Sequence, residues 1–499
     1  MSAGGVILIA LVLAVTAMGF VASRWGGASL QSLDEWALGG RRFGTFVSWF
    51  LLGGDLYTAY TFIAVPALVY GAGALGFFVV GYGAIAYPIA FVVLVRFWGI
   101  ARRRGYVTAA DFVRDRFGCR TLELCIALTG IVAAMPYVAL QLVGMRAVFQ
   151  QLGGAFAFDG GLLALTVPFV LLAAYTYWSG LRAPALIAFV KDALIYVTVL
   201  AAGIVIPAKL GGWAHVFAET AKVFAARPKP VGMLLTPSQY FPYASMMLGS
   251  AMSLFIYPHA ITSVLAARSK NVIRRNAALL PIYSVLLTLL ALLGYCAAAA
   301  GIVTADASRV VPMLFARFFP DWFAGVADAA VVIGALVPAA IMCIGSANLF
   351  VSNVLWQFTP QRSPGEVNAA KLLTLAMCGC GLLMIFFLPV PYAIDFQLLG
   401  GALMLQIFPA FVFGLWTRWF HPKALVAGWA CGIASSCVMA YAARFTPTYT
   451  IHVFGVPVTG FIALYALLLN LAVAAVLTLT LAGMRRDAGI DNTSPGDYA

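Results

Sequence analysis

The chain has 499 residues, of which 63% are apolar and only 9% are charged. Soluble domains are about 45–50% apolar and about 25% charged, so this composition excludes a water-soluble protein. The net charge is +13, but the Arg and Lys residues lie in breaks between apolar runs, which excludes a basic nucleic-acid-binding module. The pattern predicts an all-α polytopic membrane protein.

Apolar runs long enough to cross a ~30 Å hydrocarbon core recur along the whole chain. We predict one transmembrane domain over residues 1–484, with thirteen helices at about 4–23, 43–70, 76–99, 121–150, 161–178, 184–207, 239–264, 277–301, 323–350, 370–389, 393–416, 424–443 and 457–483. The first run lacks the basic start and the cleavage pattern of a signal peptide, so we expect a retained span. Residues 485–499 are expected to form a short disordered cytoplasmic tail.

The positively charged residues predict the orientation of these helices. With the N-terminus outside and the C-terminus in the cytoplasm, most Arg and Lys residues fall in cytoplasmic breaks, as the positive-inside rule requires. The opposite side holds few, chiefly Lys209, Lys222, Arg227 and Lys229 in one long loop. The amphipathic segment of that loop, within about 208–238, is expected either to lie over the pore mouth or to rest on the membrane interface.

The second to sixth and the seventh to eleventh spans, at about 43–207 and 239–416, form two successive groups of five. An odd number of spans forces the next copy to insert upside down, so these groups predict a 5+5 inverted repeat. Each group opens with a helix that contains helix-breaking residues: Gly53, Gly54 and Pro66 in the first, Gly249 and Pro258 in the second. Paired interrupted helices mark the central binding site of transporters, although Gly and Pro are also common in ordinary transmembrane helices.

Asp55, near the middle of the second span, is the clearest candidate for chemistry. A charge at that depth costs at least a few kcal/mol, so Asp55 is expected to bind a cation, carry a proton, or pair with a neighbouring span. Gly53 and Gly54 favour a cation site, because unwound backbone exposes carbonyl oxygens. The hydroxyl-bearing residues that follow suit either a small polar ligand or helix–helix hydrogen bonding.

The other intramembrane charges allow two interpretations each. Adjacent residues in a helix do not face each other, so Lys191 and Asp192 each need another partner, and Lys191 near the cytoplasmic end of its span is also able to snorkel. This pair is either part of a gate or structural. Arg146, near the outer end of the fourth predicted span, either meets a carboxylate or snorkels to the outer interface.

Neither a metal nor an organic cofactor is expected from the sequence. The eight cysteines lack metal-ligand spacing and are expected to serve as packing residues, and the four histidines have no carboxylate or cysteine at such spacing. A phosphate-binding Gly loop is also missing, so ion gradients are the expected power source.

Several short segments, spread over almost the whole chain, stand out by their order and spacing. They are Glu35-Trp-Ala-Leu-Gly-Gly-Arg41, Gly54-Asp55, Tyr106-Val-Thr-Ala-Ala-Asp-Phe112, Ser179-Gly-Leu-Arg182, Pro258-His259, Ala339-Ala-Ile-Met342 and Ser346-Ala-Asn348. Together they resemble the sodium:solute symporter family. The resemblance implies a LeuT-type fold with extra N- and C-terminal helices. Residues 53–62 and 179–192 look most similar to bacterial monocarboxylate permeases, which implies a lactate- or pyruvate-like substrate and a bacterial-type inner membrane.

Resemblance to the proline permease branch implies roles for single residues. Asp55 matches the carboxylate needed for cation coupling, and Gly53 and Leu56 match the carbonyl donors of the sodium site. Tyr137 matches a tyrosine of the substrate site.

The same comparison exposes a departure in the ninth predicted span. The family takes two hydroxyl ligands for sodium from adjacent Ser or Thr residues there, but this chain has Cys343 and Ile344, while Ala340 keeps only a carbonyl. Thiol and alkyl groups are poor ligands for a hard cation. The coupling ion is therefore either Na+ or H+, and any metal would be Na+ at Gly53, Asp55, Leu56, Ala340 and Cys343.

We predict a secondary active symporter that takes up a short-chain monocarboxylate by cation-coupled alternating access. The expected substrate-binding residues are Tyr57, Thr58, Tyr60, Tyr137 and Gln141. The alternatives are a permease for another small solute, such as an amino acid, or a transporter-like substrate sensor. The sequence shows no nucleophile–base pair, so an enzyme is not expected. The expected partners are a small organic acid and the lipid bilayer, without nucleic acid or an obligate protein partner.

Overall fold

A computed structural model describes residues 2–25, 30–153, 162–355, 365–387, 393–483 and 489–498. Within these ranges, nothing is described of the side chains of residues 55, 56, 60, 162, 163, 386, 387, 393, 394, 396 and 483. The described chain is mainly α-helical, as predicted, and also contains a two-stranded antiparallel hairpin.

The α-helices are numbered here in chain order. They are α1 Ala3–Val21, α2 Leu33–Leu38, α3 Thr45–Leu56, α4 Val65–Ala72, α5 Phe78–Arg104, α6 Ala109–Phe117, α7 Arg120–Leu152, α8 Leu162–Ser179, α9 Arg182–Lys209, α10 Trp213–Ala225, α11 Pro237–Leu254, α12 Pro258–Leu265, α13 Lys270–Leu279, α14 Pro281–Ala299, α15 Val310–Phe318, α16 Asp321–Leu349, α17 Glu366–Phe387, α18 Ala393–Met404, α19 Phe408–Phe411, α20 Pro422–Ala442 and α21 Ile462–Gly483. The two strands are β1 Thr448–Val453 and β2 Val456–Phe461.

The described chain contains ten helical stretches that are long and apolar enough to cross a membrane, or eleven when the bent pair α11 and α12 is included. Two shorter apolar helices, Thr45–Gly54 and Ala164–Ser179, coincide with the second and fifth predicted spans. One continuous run, Thr61–Arg104, covers parts of two predicted spans. The multi-pass helical architecture is confirmed, while the count of thirteen spans stays a prediction.

Both helices that were predicted to be interrupted are broken. The α3 helix ends at Leu56, and the chain bends at residues 57 and 58 before a π-helical turn, Tyr60–Ala64, leads into α4. The axes of α11 and α12 differ by 46° across residues 255–257. Gly53 and Gly54 lie in the last turn of α3 rather than in unwound backbone, so the expectation that they expose carbonyls by unwinding is wrong.

The two broken helices are tied together at one end of the bundle. The backbone N–H of Phe43, just before α3, donates to the carbonyl of Ala266 at 3.0 Å, just after α12. The N–H of Arg268 donates back to the carbonyl of Phe43 at 2.9 Å. This short bridge fixes the start of the first broken helix against the end of the second.

The α16 helix lies at the centre of the bundle. It packs against α1, α7, α9 and α12, and nearly every residue from Gly325 to Leu349 is buried. The α1 helix is an integral part of this packing, since the N–H of Gly4 donates to Asp321 Oδ2 at 2.9 Å. The first predicted span is therefore a packed helix of the bundle.

The amphipathic α10 helix is fastened to the side of α14. Its buried face consists of Val216, Thr220 and Phe224, and Thr220 Oγ1 donates to the carbonyl of Tyr295 at 2.9 Å. The sequence predicted that this segment lies either over the pore mouth or on the membrane interface. Neither prediction included its contact with α14.

The hairpin of β1 and β2 precedes the last helix. Phe454 and Gly455 form its turn with φ values of 50° and 84°, and both strands are rich in β-branched residues. The last helix consequently begins at Ile462 and not at 457 as predicted.

The described part of the C-terminal tail, residues 489–498, packs against α5 and α6. Arg116 Nη1 lies 2.7 Å from Asp491 Oδ2, and Arg104 Nη2 lies 2.6 Å from Asp497 Oδ2. These residues differ from the expectation of a disordered tail, because their carboxylates pair with arginines of α5 and α6. Composition alone does not show that those arginines lie nearby. Residues 484–488 lie outside the described structure.

Candidate functional site

The break between α3 and α4 is held by side chains from two other helices. Gln141 of α7 accepts the backbone N–H of Ala59 through Oε1 at 3.1 Å. Lys191 of α9 donates from Nζ to the carbonyl of Gly54 at 2.8 Å and to the carbonyl of Tyr57 at 2.9 Å. A broken helix leaves backbone donors and acceptors without intrahelical partners, and these side chains satisfy several of them.

Lys191 and Asp192 form a fully buried ion pair beside this break. Nζ of Lys191 lies 2.9 Å from Asp192 Oδ1, and both residues are 0% exposed. Asp192 Oδ2 accepts a hydrogen bond from the hydroxyl of Tyr283 at 2.8 Å. The prediction that the adjacent Lys and Asp do not meet is wrong, because the flexible lysine stem lets Nζ reach the neighbouring carboxylate. Lys191 does not snorkel either.

Glycines at the end of α3 allow this network to approach the backbone. A Cβ atom at Gly53 would overlap the ring of Tyr283, and one at Gly54 would lie 2.9 Å from Lys191 Nζ. The hydroxyl of Tyr57 donates to the backbone carbonyl of Tyr283, and the two rings are 4.8 Å apart. Close approach, rather than conformational freedom, is therefore the structural use of these two glycines.

The structure places the predicted coupling residues only in part. The side chains of Asp55 and Leu56 lie outside the described structure, and the carbonyl of Gly53 accepts the N–H of Tyr57 at 3.0 Å. On α16, Ala340 and Cys343 are both 0% exposed. Among the residues that the structure describes, groups of His, Cys, Asp or Glu arranged to hold a metal ion are not found.

Sequence reasoning missed Lys191 as the group that meets the α3 carbonyls. Lys191 is 137 positions from Gly54 in the chain, so no local spacing links them. The available signal was an ionisable pair inside an apolar helix, which is by itself a pointer to function.

A second feature is a small polar cavity where α7, α11 and α18 meet. Its volume is about 20 Å³, and its wall includes Tyr137, Ser250, Tyr257 and Gln397. In the described structure, Ser250 Oγ, Tyr257 Oη and Gln397 Oε1 have no hydrogen-bond partner. Buried polar atoms are nearly always paired, so three unpaired atoms at one cavity point to a polar ligand.

Aromatic rings build one wall of this cavity at the break between α11 and α12. The ring of Tyr137 lies 5.8 Å from that of Tyr257 and 5.5 Å from that of His259. Tyr257 and His259 are in turn 5.3 Å apart. The structure therefore places Tyr137, which the resemblance assigned to the substrate site, beside the second broken helix.

The other predicted substrate residues do not join this cavity. Gln141 and the hydroxyl of Tyr57 are engaged at the α3 break, so their polar groups are used within the protein. Thr58 is buried, its backbone N–H donating to Thr61 Oγ1 at 3.5 Å. The side chain of Tyr60 lies outside the described structure.

A larger cavity of about 580 Å³ extends from the α3 break to the loop at 305–308. Ala59 and Gly144 line it near the break, and Arg146, Asp306 and Asp395 supply its charged groups. Arg146 is the one cation among the described lining residues. It therefore lines this cavity together with the two carboxylates.

The opposite end of the bundle is closed by a buried polar cluster. Thr108 Oγ1 donates to Asn353 Oδ1 at 2.7 Å, and Asn353 Nδ2 donates to Asp111 Oδ1 at 2.7 Å and to Glu123 Oε1 at 2.8 Å. The cavity recorded beside α6 and α12 has a volume of only about 10 Å³. Among the described residues, the cavity that reaches residues 305–308 is thus far larger than the one beside α6.

Three of the segments that carried the family resemblance contribute contacts at this end. Arg182 pairs with Glu35 at 2.6 Å, which joins the start of α9 to α2. Arg41 pairs with Asp34 at 2.7 Å and donates to the carbonyl of Tyr106 at 2.9 Å. These motif residues hold helices together.

The family model for the sodium:solute symporter family matches residues 36–431. The chain belongs to this family. It is 50% identical over 471 residues to a monocarboxylate transport permease protein of Rhizobium johnstonii, covering 94% of each chain. It is also 32% identical to an uncharacterised symporter, YodF, of Bacillus subtilis, covering 86% of each.

A solved structure supports the same fold for this symporter-family chain. A Na+-coupled sialic acid symporter, described as substrate-bound and outward-open, matches with a TM-score of 0.76 at 17% identity. The match covers 97% of this chain and 98% of that one. The predicted family and the LeuT-type fold are both confirmed.

Proposed function

We propose that this protein is a secondary active transporter that takes up a short-chain monocarboxylate, such as lactate or pyruvate, together with a cation. The observation that carries the proposal is 50% identity to a monocarboxylate transport permease protein over 94% of both chains. At that identity, extended over the whole transporter domain, a shared substrate class is the best-supported inference.

The larger cavity is the entry path in this proposal. Arg146 offers a positive charge to a carboxylate entering between α4 and α7. With the N-terminus outside, as the positive-inside rule favours, the loop at 305–308 faces the exterior and the α6 end faces the cytoplasm. The described conformation is then the outward-facing member of an alternating-access pair.

The small polar cavity is the binding site in this proposal. The hydroxyls of Tyr257 and Ser250 are donors without partners, and Tyr137 and Gln397 add polar groups beside them. A volume of about 20 Å³ holds one or two water molecules but not a monocarboxylate. Substrate binding therefore requires α18 to move away from α11, which links occupancy to the movement of helices.

The test is uptake by purified protein in liposomes. Labelled lactate, pyruvate and alanine are offered under sodium and pH gradients that are varied independently. We expect gradient-driven accumulation of lactate or pyruvate and little alanine. Accumulation of alanine alone would indicate an amino-acid permease. Binding of a substrate without transport would indicate a substrate sensor.

A further inference from the structure

The carbonyl oxygens at the end of α3 are already bound by a cation that belongs to the protein. Nζ of Lys191 donates hydrogen bonds to the carbonyls of Gly54 and Tyr57 at 2.8 and 2.9 Å. An ammonium group and a sodium ion carry the same charge and both bind carbonyl oxygen. The two carbonyls that Lys191 binds directly follow, in the chain, the expected sodium ligands Gly53 and Leu56, and the carbonyl of Gly53 accepts the N–H of Tyr57 at 3.0 Å.

The facing helix offers sodium no replacement oxygens at the matching side chains. Ala340, Cys343 and Ile344 present a methyl, a thiol and an alkyl group, and all three residues are 0% exposed. The thiol of Cys343 interacts with that of Cys378 on α17. Because hard cations need oxygen ligands, these three side chains do not fit the sodium site that the resemblance implies.

The site is built around the lysine. Gly54 leaves the space for it, since a Cβ atom there would lie 2.9 Å from Nζ and 3.6 Å from Cε. Asp192 balances the charge at 2.9 Å, and Tyr283 holds the second oxygen of that carboxylate. The ammonium group thus makes two hydrogen bonds to carbonyls and one ion pair with a carboxylate, the kind of compensation that a fully buried charge requires.

We propose that Lys191 is a resident cation that replaces sodium at the break of α3, so that transport by this member of the family does not need sodium. The Lys191 side chain joins α9 to α3 through its own ammonium group. The transport consequence rests on the proposed function, but the cation site itself can be tested on purified protein without any substrate.

The first experiment compares the thermal unfolding midpoint of the purified wild-type protein in sodium, potassium and choline chloride at equal ionic strength. We expect the same midpoint in all three salts. In liposomes, pyruvate uptake under a fixed acid-outside pH gradient should also be unchanged when choline replaces sodium. A midpoint that rises with sodium concentration, or uptake lost without sodium, would overturn the proposal. If no acid is transported, the proposed function fails, and the midpoints still decide whether sodium binds.

The second experiment removes the resident cation with Lys191→Ala. We expect a lower unfolding midpoint that methylammonium chloride partly restores and the bulkier tetramethylammonium chloride does not, because only the small ion fits beside Gly54 and Asp192. The exposed-loop variant Lys229→Ala should match the wild type and respond to neither salt. A loss of stability that methylammonium does not reverse would mean that Lys191 only fills space, which overturns the proposal. If Lys191→Ala does not fold, the wild-type salt comparison decides.

Discussion

At the scale of single residues, close packing explains why position 53, just before the break of α3, is a glycine. Gly53 lies against the ring of Tyr283, whose hydroxyl donates to the buried Asp192. Any side chain at 53 must displace that ring and with it the donor of a fully buried carboxylate. Position 53 is thus sensitive to substitution, because the network of Tyr283, Asp192 and Lys191 lies against it.

We expect Gly53→Ala to lower the free energy of unfolding by about 1–3 kcal/mol, the usual cost of overpacking, and to reduce uptake at least tenfold. The matched control is Gly379→Ala in α17, where an added Cβ meets no atom within 4 Å. That control should be neutral or gain up to about 1 kcal/mol from the helix preference of alanine. Equal effects of the two substitutions would contradict the proposed packing.

The unpaired hydroxyl of Tyr257 allows binding to be separated from stability. Tyr257→Phe removes no hydrogen bond within the described structure, so the unfolding midpoint should stay within error of the wild type. A hydrogen bond to a charged ligand is worth about 1.5–3 kcal/mol, so we expect KM for pyruvate to rise about 10-fold to 100-fold. The control Tyr465→Phe loses a bond to the carbonyl of Val458 in the hairpin and should leave KM unchanged. An unchanged KM in Tyr257→Phe would remove this hydroxyl from the binding site.

At the scale of helices, the closed end depends on one amide that serves several elements. Asn353 follows α16 and bonds to Thr108 and Asp111 of the α6 cap and to Glu123 of α7. Two buried carboxylates share its amino group. Removing it leaves both of them without that donor in a region that must open during transport.

We expect Asn353→Ala to cost at least about 2 kcal/mol of stability, because each buried acceptor that loses a partner costs about 1–3 kcal/mol. The comparison is Asn276→Ala in α13, whose equally buried side chain has no hydrogen-bond partner in the described structure. Its loss should cost clearly less. Thermal unfolding of the two variants checks this, and a cost at Asn276 as large as that at Asn353 would refute the role of the shared amide.

At the scale of the whole molecule, the C-terminal residues close the α6 face. Hydrogen bonding from Arg104 lowers the pKa of Asp497 to about 2. Because the pKa is below the ordinary value of about 3.9, the contact is complete above about pH 4 and is lost only as the pH falls toward 2. The contact should therefore not respond to pH in the physiological range.

We expect salt, rather than pH, to release the tail, because the ion pairs are near the surface and are screened. Limited proteolysis of residues 489–498 should be slow and constant between pH 5 and pH 8 at low salt, and faster at high salt. Asp497→Asn should be cleaved faster at low salt and should lose most of the salt effect. A tail that is cleaved equally fast in all conditions would contradict docking.

The sequence by itself determined the membrane class, the family and the positions of both broken helices. Runs of apolar residues with Arg and Lys between them leave few alternatives to a helical membrane bundle, and Gly and Pro disfavour helix at 53–66 and 249–258. Tyr137 was assigned to the substrate site by resemblance; it lines the small cavity, and its role there stays a prediction. These features depend on local composition and motif order, which one chain displays directly.

Only the tertiary structure decided what meets the α3 break. The Lys191 ammonium reaches Gly54 from 137 positions away, and Gln141 reaches Ala59 from 82 positions away. Hydropathy and spacing describe neighbours along the chain, whereas a buried charge is stabilised by whichever oxygens the packing brings near it. The same reason explains why the contacts of the tail with α5 and α6 and the bond from Ala59 to Gln141 were not predicted. Their partners lie on other helices, and only the packed bundle brings them together.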